Sequence, residues 1–212
     1  ETLVIRIDDT IELALDAQTI AAMGADGDTA SEVRIEWRRE EAEEVRPVVD
    51  QAAGELPVNV TVRTVSAAYA IGWTSSEDPD QQTDGPAEWP EPIRVTVRVS
   101  EDADPDLVGL YRIEEDGSLV YVGGTVRDGT LVAEVTQPGK YVVLEYERHY
   151  DDVDESHWAY QAIRAMSAKH ILQGVSAESF DPAGTLTRAQ LVTLVVRAAG
   201  LKPQGSASGA FE

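Results

Sequence analysis

The stretch that decides the fold is residues 108–146, VGLYRIEEDGSLVYVGGTVRDGTLVAEVTQPGKYVVLEY. Apolar and polar residues alternate through LVAEV and YVVLEY, the period of a half-buried strand. Asp116-Gly117 and Asp128-Gly129 are hairpin turn dipeptides, because glycine supplies the positive φ that a tight turn needs. Pro138-Gly139 marks a third turn. Two hairpins in succession therefore leave a run of antiparallel strands. Working towards the N terminus, LVIRI, IELAL, VRIEW, VNVTVRTV (58–65) and IRVTVRV (93–99) repeat the same alternation. Gly24-Ala25-Asp26-Gly27 is a further turn signal. Residues 16–23 suit one short helical turn. Residues 39–55 lack alternation and read as a short helix or a long loop. Residues 74–92 are a polar, proline-rich loop flanked by Trp73 and Trp89, which pin it by burial or, as exposed rings, stack on sugar. Short strands at this spacing predict an all-β, sandwich-like domain over residues 1–149.

Past residue 149 the period changes. Ser156 is a candidate cap for a helix whose Ala159, Ala162, Ile163 and Met166 share a face. The loop LQGVSAESFDPAGTL follows. A second helix carries Leu191, Leu194, Val195 and Ala198 on one stripe. Its start, Thr187-Arg188-Ala189-Gln190, is a capping box in which Thr187 and Gln190 each satisfy the other's backbone amide. Arg188 has no such job. A cation at a helix N terminus is mildly unfavourable, so it either reaches solvent or a nearby carboxylate, or waits for an anion.

Charge divides the chain at the same place. The 212 residues carry a formal net charge of −22. Residues 1–149 hold 12 Lys+Arg against 32 Asp+Glu, and residues 150–201 hold 4 against 6. An excess of this sign argues against nucleic acid or an anionic membrane as partner. With 42% hydrophobic residues a packed core is feasible. There is no cysteine, so disulfides, thiol catalysis and thiolate metal sites are excluded. No run approaches the roughly 18 apolar residues of a membrane span. The opening ETLVIRI reads as a strand entered at full stride, so a leader or upstream domains are expected before it. HYDDVDESH places His149 and His157 around three aspartates, yet the spacing fits no zinc pattern. No nucleophile elbow, P-loop or dinucleotide fingerprint occurs. Asn59-Val60-Thr61 matches a glycosylation sequon inside a strand pattern. No catalytic constellation and no cofactor is expected.

Residues 150–201 resemble the S-layer homology (SLH) family. The resemblance rests on Tyr150, Asp152-Val153, His157-Trp158-Ala159, Ile163, Gly174, Phe180-Asp181-Pro182 and Thr187-Arg188-Ala189-Gln190, in that order. Two positions depart from the family pattern. Gln190 replaces a glutamate, which a capping box accepts. His170 stands where the family has glycine, which implies strain if that position takes a positive φ. Phe211-Glu212 is similar to the opening of another copy, giving a repeat of about sixty residues with residues 202–212 as linker and start. Residues 108–146 are similar to the β-rich domains that precede such repeats in Gram-positive surface proteins.

The resemblance implies a helix-loop-helix unit, neighbouring SLH repeats as partners, and grooves that bind secondary cell-wall polysaccharide, often with a pyruvylated sugar. It implies Arg188 as the contact to the sugar carboxylate. Trp158 is a groove wall or a core residue, with core favoured in so small a unit. Lys169 is a second cation and Asp152 a further contact. The implied function is non-covalent anchoring of a secreted surface protein at the cell wall, the β domain serving as spacer or accessory module. The alternative is a carbohydrate-binding or adhesive β module of a larger polysaccharide-degrading enzyme.

Overall fold

The computed structural model describes residues 2–23, 32–76 and 88–201. The turn signal at 24–27, most of the loop at 74–92 and the tail at 202–212 lie outside the described residues. Among those described, the chain is β-rich, with two five-stranded antiparallel sheets and four helices.

The first sheet runs β1 (Thr2–Arg6), β2 (Ile11–Asp16), β5 (Ile93–Arg98), β9 (Thr130–Val135), β8 (Thr125–Arg127). The second runs β3 (Glu32–Glu40), β4 (Val60–Ser76), β10 (Gly139–Arg148), β6 (Val108–Ile113), β7 (Leu119–Gly123). Alternation places one side-chain set inside. Leu13, Val95 and Leu131 from the first sheet share a core with Tyr69, Leu110 and Val143 from the second. Both predicted Asp-Gly turns close hairpins, with Gly117 at φ 84° and Gly129 at φ 72°. Trp73 and Trp89 stack at 5.9 Å between ring centroids and are 6% and 4% exposed. Their burial leaves no platform for a sugar, so the pair pins its segment to the core.

The second sheet is covered on its other face as well. A register shift in β10 between Val142 and Leu144 accompanies its pairing with β4. Val142, Leu144 and Tyr146 point outward, where Val45 and Val49 of α2 (Ala42–Gly54) pack. Residues 39–55 are thus mainly helix, opened by a Glu41–Glu44 capping box. Residues 16–23 supply α1 (Ala17–Met23), fastened by Thr19 amide and hydroxyl bonds to Asp16. Ala168 of α3 (Tyr160–Ala168) completes the outer cluster at 0% exposure. The helical unit ends in α4 (Arg188–Ala198).

Candidate functional site

The helical unit is assembled by the motif residues themselves. Tyr150, Val153 and Ile163 form a small buried cluster against Ala159, Tyr160, Leu172 and Phe180. The Tyr150 and Phe180 rings lie 5.4 Å apart. Asp152 accepts from the Phe180 amide at 2.8 Å, the Asp181 amide at 2.7 Å and the Ser179 hydroxyl at 2.7 Å. The Phe180 amide above all, then the Ser179 hydroxyl, holds the carboxyl down at about 2. Its oxygens are already occupied, so the structure uses Asp152 to fasten the loop that leads into α4. Gly174 has a steric reason. A Cβ there would come within 2.5 Å of the Tyr150 ring and closer still to the Ser179 carbonyl oxygen.

The loop delivers the α4 cap. The Gln190 amide donates to Thr187 Oγ1 at 3.3 Å, and the Thr187 amide donates to Gln190 Oε1 at 2.9 Å. Arg188, the next residue, is exposed, and among the described residues no hydrogen bond or ion pair holds it. Beside α4 lies a cleft of about 490 Å³ lined by Leu172, Phe180, Pro182, Leu186, Leu194 and Arg197. Arg188 is not among its walls. On the α4 stripe Leu194 is half-buried against this cleft, while Leu191 and Val195 are 51% and 57% exposed.

Three expectations change. Ser156 does not cap a helix. Its amide and hydroxyl donate to Asp154 in a turn, and α3 begins later, at Tyr160. Trp158 is not a core residue: it is 91% exposed, with its ring 5.8 Å from that of His157. Lys169 does not face solvent as a free cation. Its ammonium donates to the Val108 carbonyl of β6, and burial lowers its pKa.

Lys169 belongs to a junction that sequence reasoning missed. Arg164 donates to Glu147 and to Asp104, each at 2.6 Å. Arg148 reaches the carbonyls of Ala177 at 2.9 Å and Ser176 at 3.2 Å. Asn59 Nδ2 donates to the Ala177 carbonyl at 2.7 Å and also to that of His149, which engages the nitrogen of the sequon. At the centre sits His170, at φ 55°. Its Nε2 lies 2.8 Å from the Tyr111 hydroxyl, and its ring lies 4.8 Å from Tyr121 and 4.7 Å from Tyr146. Burial, then Arg148, lowers its pKa to about 4. The positive φ expected from the family's glycine is present, and the imidazole plugs an aromatic pocket on the β sheet. The departure from glycine was the signal in the sequence; its tyrosine partners, 24 to 59 residues away, were not legible.

The family model for the S-layer homology domain matches residues 149–192. An amylopullulanase from Thermoanaerobacterium thermosulfurigenes is 29% identical over 123 residues, which is 57% of this chain and 6% of the relative. The chain therefore spans a small fraction of that relative's length. No solved structure matches. The shared motif residues, the loop they organise and the family match together show that residues 149–192 carry an S-layer homology domain.

Proposed function

We propose that the chain anchors a surface protein non-covalently to the cell wall, with Arg188 contacting a carboxylate-bearing sugar of the secondary cell-wall polysaccharide. An SLH domain marks attachment at the cell surface. The finer reading is carried by one observation: Arg188 is exposed and without a partner among the described residues, beside a helix N terminus. It lies in the nearly neutral segment of a chain of net charge −22. An acidic wall polymer repels such a chain as a whole, so attachment requires a local cation. Trp158, exposed in the same unit, is the second contact of this reading; Lys169 and Asp152 are committed elsewhere.

In this reading residues 1–149 form a β-sandwich that serves as spacer or accessory module. Residues 150–201 form one repeat, and the exposed part of the α4 stripe, Leu191 and Val195, packs against a neighbouring repeat. The chain has no catalytic role of its own. The amylopullulanase likeness favours a polysaccharide-degrading parent as the cargo. Co-sedimentation of the full chain with purified sacculi tests the anchor. Binding is expected to intact sacculi and to be lost when the polysaccharide is stripped; equal binding to stripped sacculi refutes it.

A further inference from the structure

The outer face of the first sheet carries an arrangement that anchoring through α4 does not use. In the acidic β domain at least six of the twelve cations are neutralised in place. Arg6, Arg38, Arg39, Arg63, Arg112 and Lys140 each contact a carboxylate within 3.4 Å. Arg94, Arg98 and Arg127, like Arg46 of α2, do not, and among the described residues none of their side chains has a hydrogen bond or ion pair. They stay unpaired although residues 1–149 hold 32 carboxylates. The three on the sheet project from one face. Arg94 and Arg98 are the exposed positions of β5, whose Ile93, Val95 and Val97 are buried, and Arg127 is exposed on β8.

Register fixes their relation. Arg98 opposes Thr130, which opposes Arg127. Thr96 opposes Val132, which opposes Thr125. Arg94 opposes Glu134. The result is a band of two threonines and a valine bordered by guanidinium groups. Arg94 and Arg127, which line the same face, are two strand spacings across and four residues along the sheet from each other, about 16 Å, the scale of a short oligosaccharide rather than a single small anion. A cleft of about 970 Å³ opens over this face, lined in part by Arg94, Thr96, Arg112, Arg127, Val132 and Gln137. Glu134 is the one carboxylate among its walls. Arg112 is paired with Glu114, so the two unpaired guanidinium groups, Arg94 and Arg127, against Glu134 leave the cleft cationic within an acidic domain. Guanidinium forks suit planar carboxylates, while threonine hydroxyls and the valine suit sugar hydroxyls and the apolar face of a ring.

We propose that this face binds an acidic, carboxylate-bearing glycan, held by Arg94 and Arg127 along the Thr96–Val132–Thr125 row. The site is independent of Arg188 and gives the chain a second glycan contact. The test is calorimetric titration of the full chain with a hexamer of galacturonic acid, beside maltohexaose as a neutral counterpart. The acidic hexamer is expected to bind, to bind at least tenfold more weakly to Arg94→Ala/Arg127→Ala, and to weaken with added salt. Arg188→Ala is expected to leave this binding unchanged, which separates the site from the wall anchor. Arg94→Lys/Arg127→Lys, which keeps the charge, is expected to retain part of the affinity. Equal binding by the double alanine variant, loss confined to Arg188→Ala, equal affinity for maltohexaose, or no binding of the acidic hexamer would each overturn the proposal.

Discussion

His170 allows two opposing costs to be separated. Its φ of 55° strains any residue other than glycine, by about 1–2 kcal/mol. Against that stand the Tyr111 hydrogen bond and ring contacts to three tyrosines. Removing the ring forfeits about 1 kcal/mol for the hydrogen bond, with the packing of the aromatic cluster in addition. It also leaves the hydroxyl of Tyr111, 3% exposed, without its partner. His170→Ala keeps the strain and loses the plug, so it is expected to destabilise by about 3–4 kcal/mol. His170→Gly loses the plug but relieves the strain, so its loss is smaller, about 2 kcal/mol. The pH dependence gives a second handle. Burial, then Arg148, holds the imidazole at about 4, below the usual 6.5. The docked state therefore favours the neutral ring. This stabilisation is complete above the unfolded value and is lost as pH falls from 6.5 through 4. Linkage puts the loss at about 2 kcal/mol by pH 5. Arg148 from β10 and the tyrosines of β6, β7 and β10 face the ring, and Lys169 precedes it on the chain. Urea unfolding of wild type and both variants at pH 7 and pH 5 measures these quantities. The gap between wild type and His170→Gly should shrink in acid. A His170→Gly variant more stable than wild type, or a gap independent of pH, would refute the reasoning.

Other substitutions probe the unit that carries Arg188. Gly174→Ala drives a methyl into the Tyr150 ring and two loop carbonyls; a loss of about 2–4 kcal/mol, read as a lowered Tm, is expected. Asp152→Asn removes a charged acceptor from two amides and a hydroxyl at an exposed position, and should cost about 1–2 kcal/mol after solvent screening. Because its carboxyl sits at about 2, below 3.8, that contribution is present above pH 4 and fades as pH falls towards 2. A stability difference between wild type and Asp152→Asn that is already absent at pH 4 would contradict it. Thr187→Ala removes the α4 cap and should cost about 1 kcal/mol, measurable as faster hydrogen exchange of the Gln190 amide, which loses its acceptor.

The strands were legible because one face of each is buried, which imposes period two on residues such as Ile93, Val95 and Val97. The sheet order was not. β4 and β10 pair across about eighty residues, as at Tyr69 with Tyr141, and nothing local encodes that choice. Residues 39–55 were ambiguous because Val45 and Val49 are the only buried apolar pair among charged neighbours, a stripe too narrow to declare a helix. In the helical unit the capping box was readable at Thr187 and Gln190 because it is a local contact. Trp158 was misread because a small unit was expected to bury its largest ring, whereas Tyr150 and Phe180 fill that core. Lys169 was misread because its partner is a backbone carbonyl on β6, and a carbonyl leaves no trace in the residue types.

The measurement that tests the central claim most directly is titration of purified secondary cell-wall polysaccharide into the full chain and into its Arg188→Ala variant, at physiological salt. Arg188 is exposed and unpaired among the described residues, so the variant should fold with unchanged Tm. A charge-assisted contact to a sugar carboxylate predicts affinity weakened by about ten- to a hundredfold. Identical affinity in the two proteins would contradict the account and place the glycan on other residues.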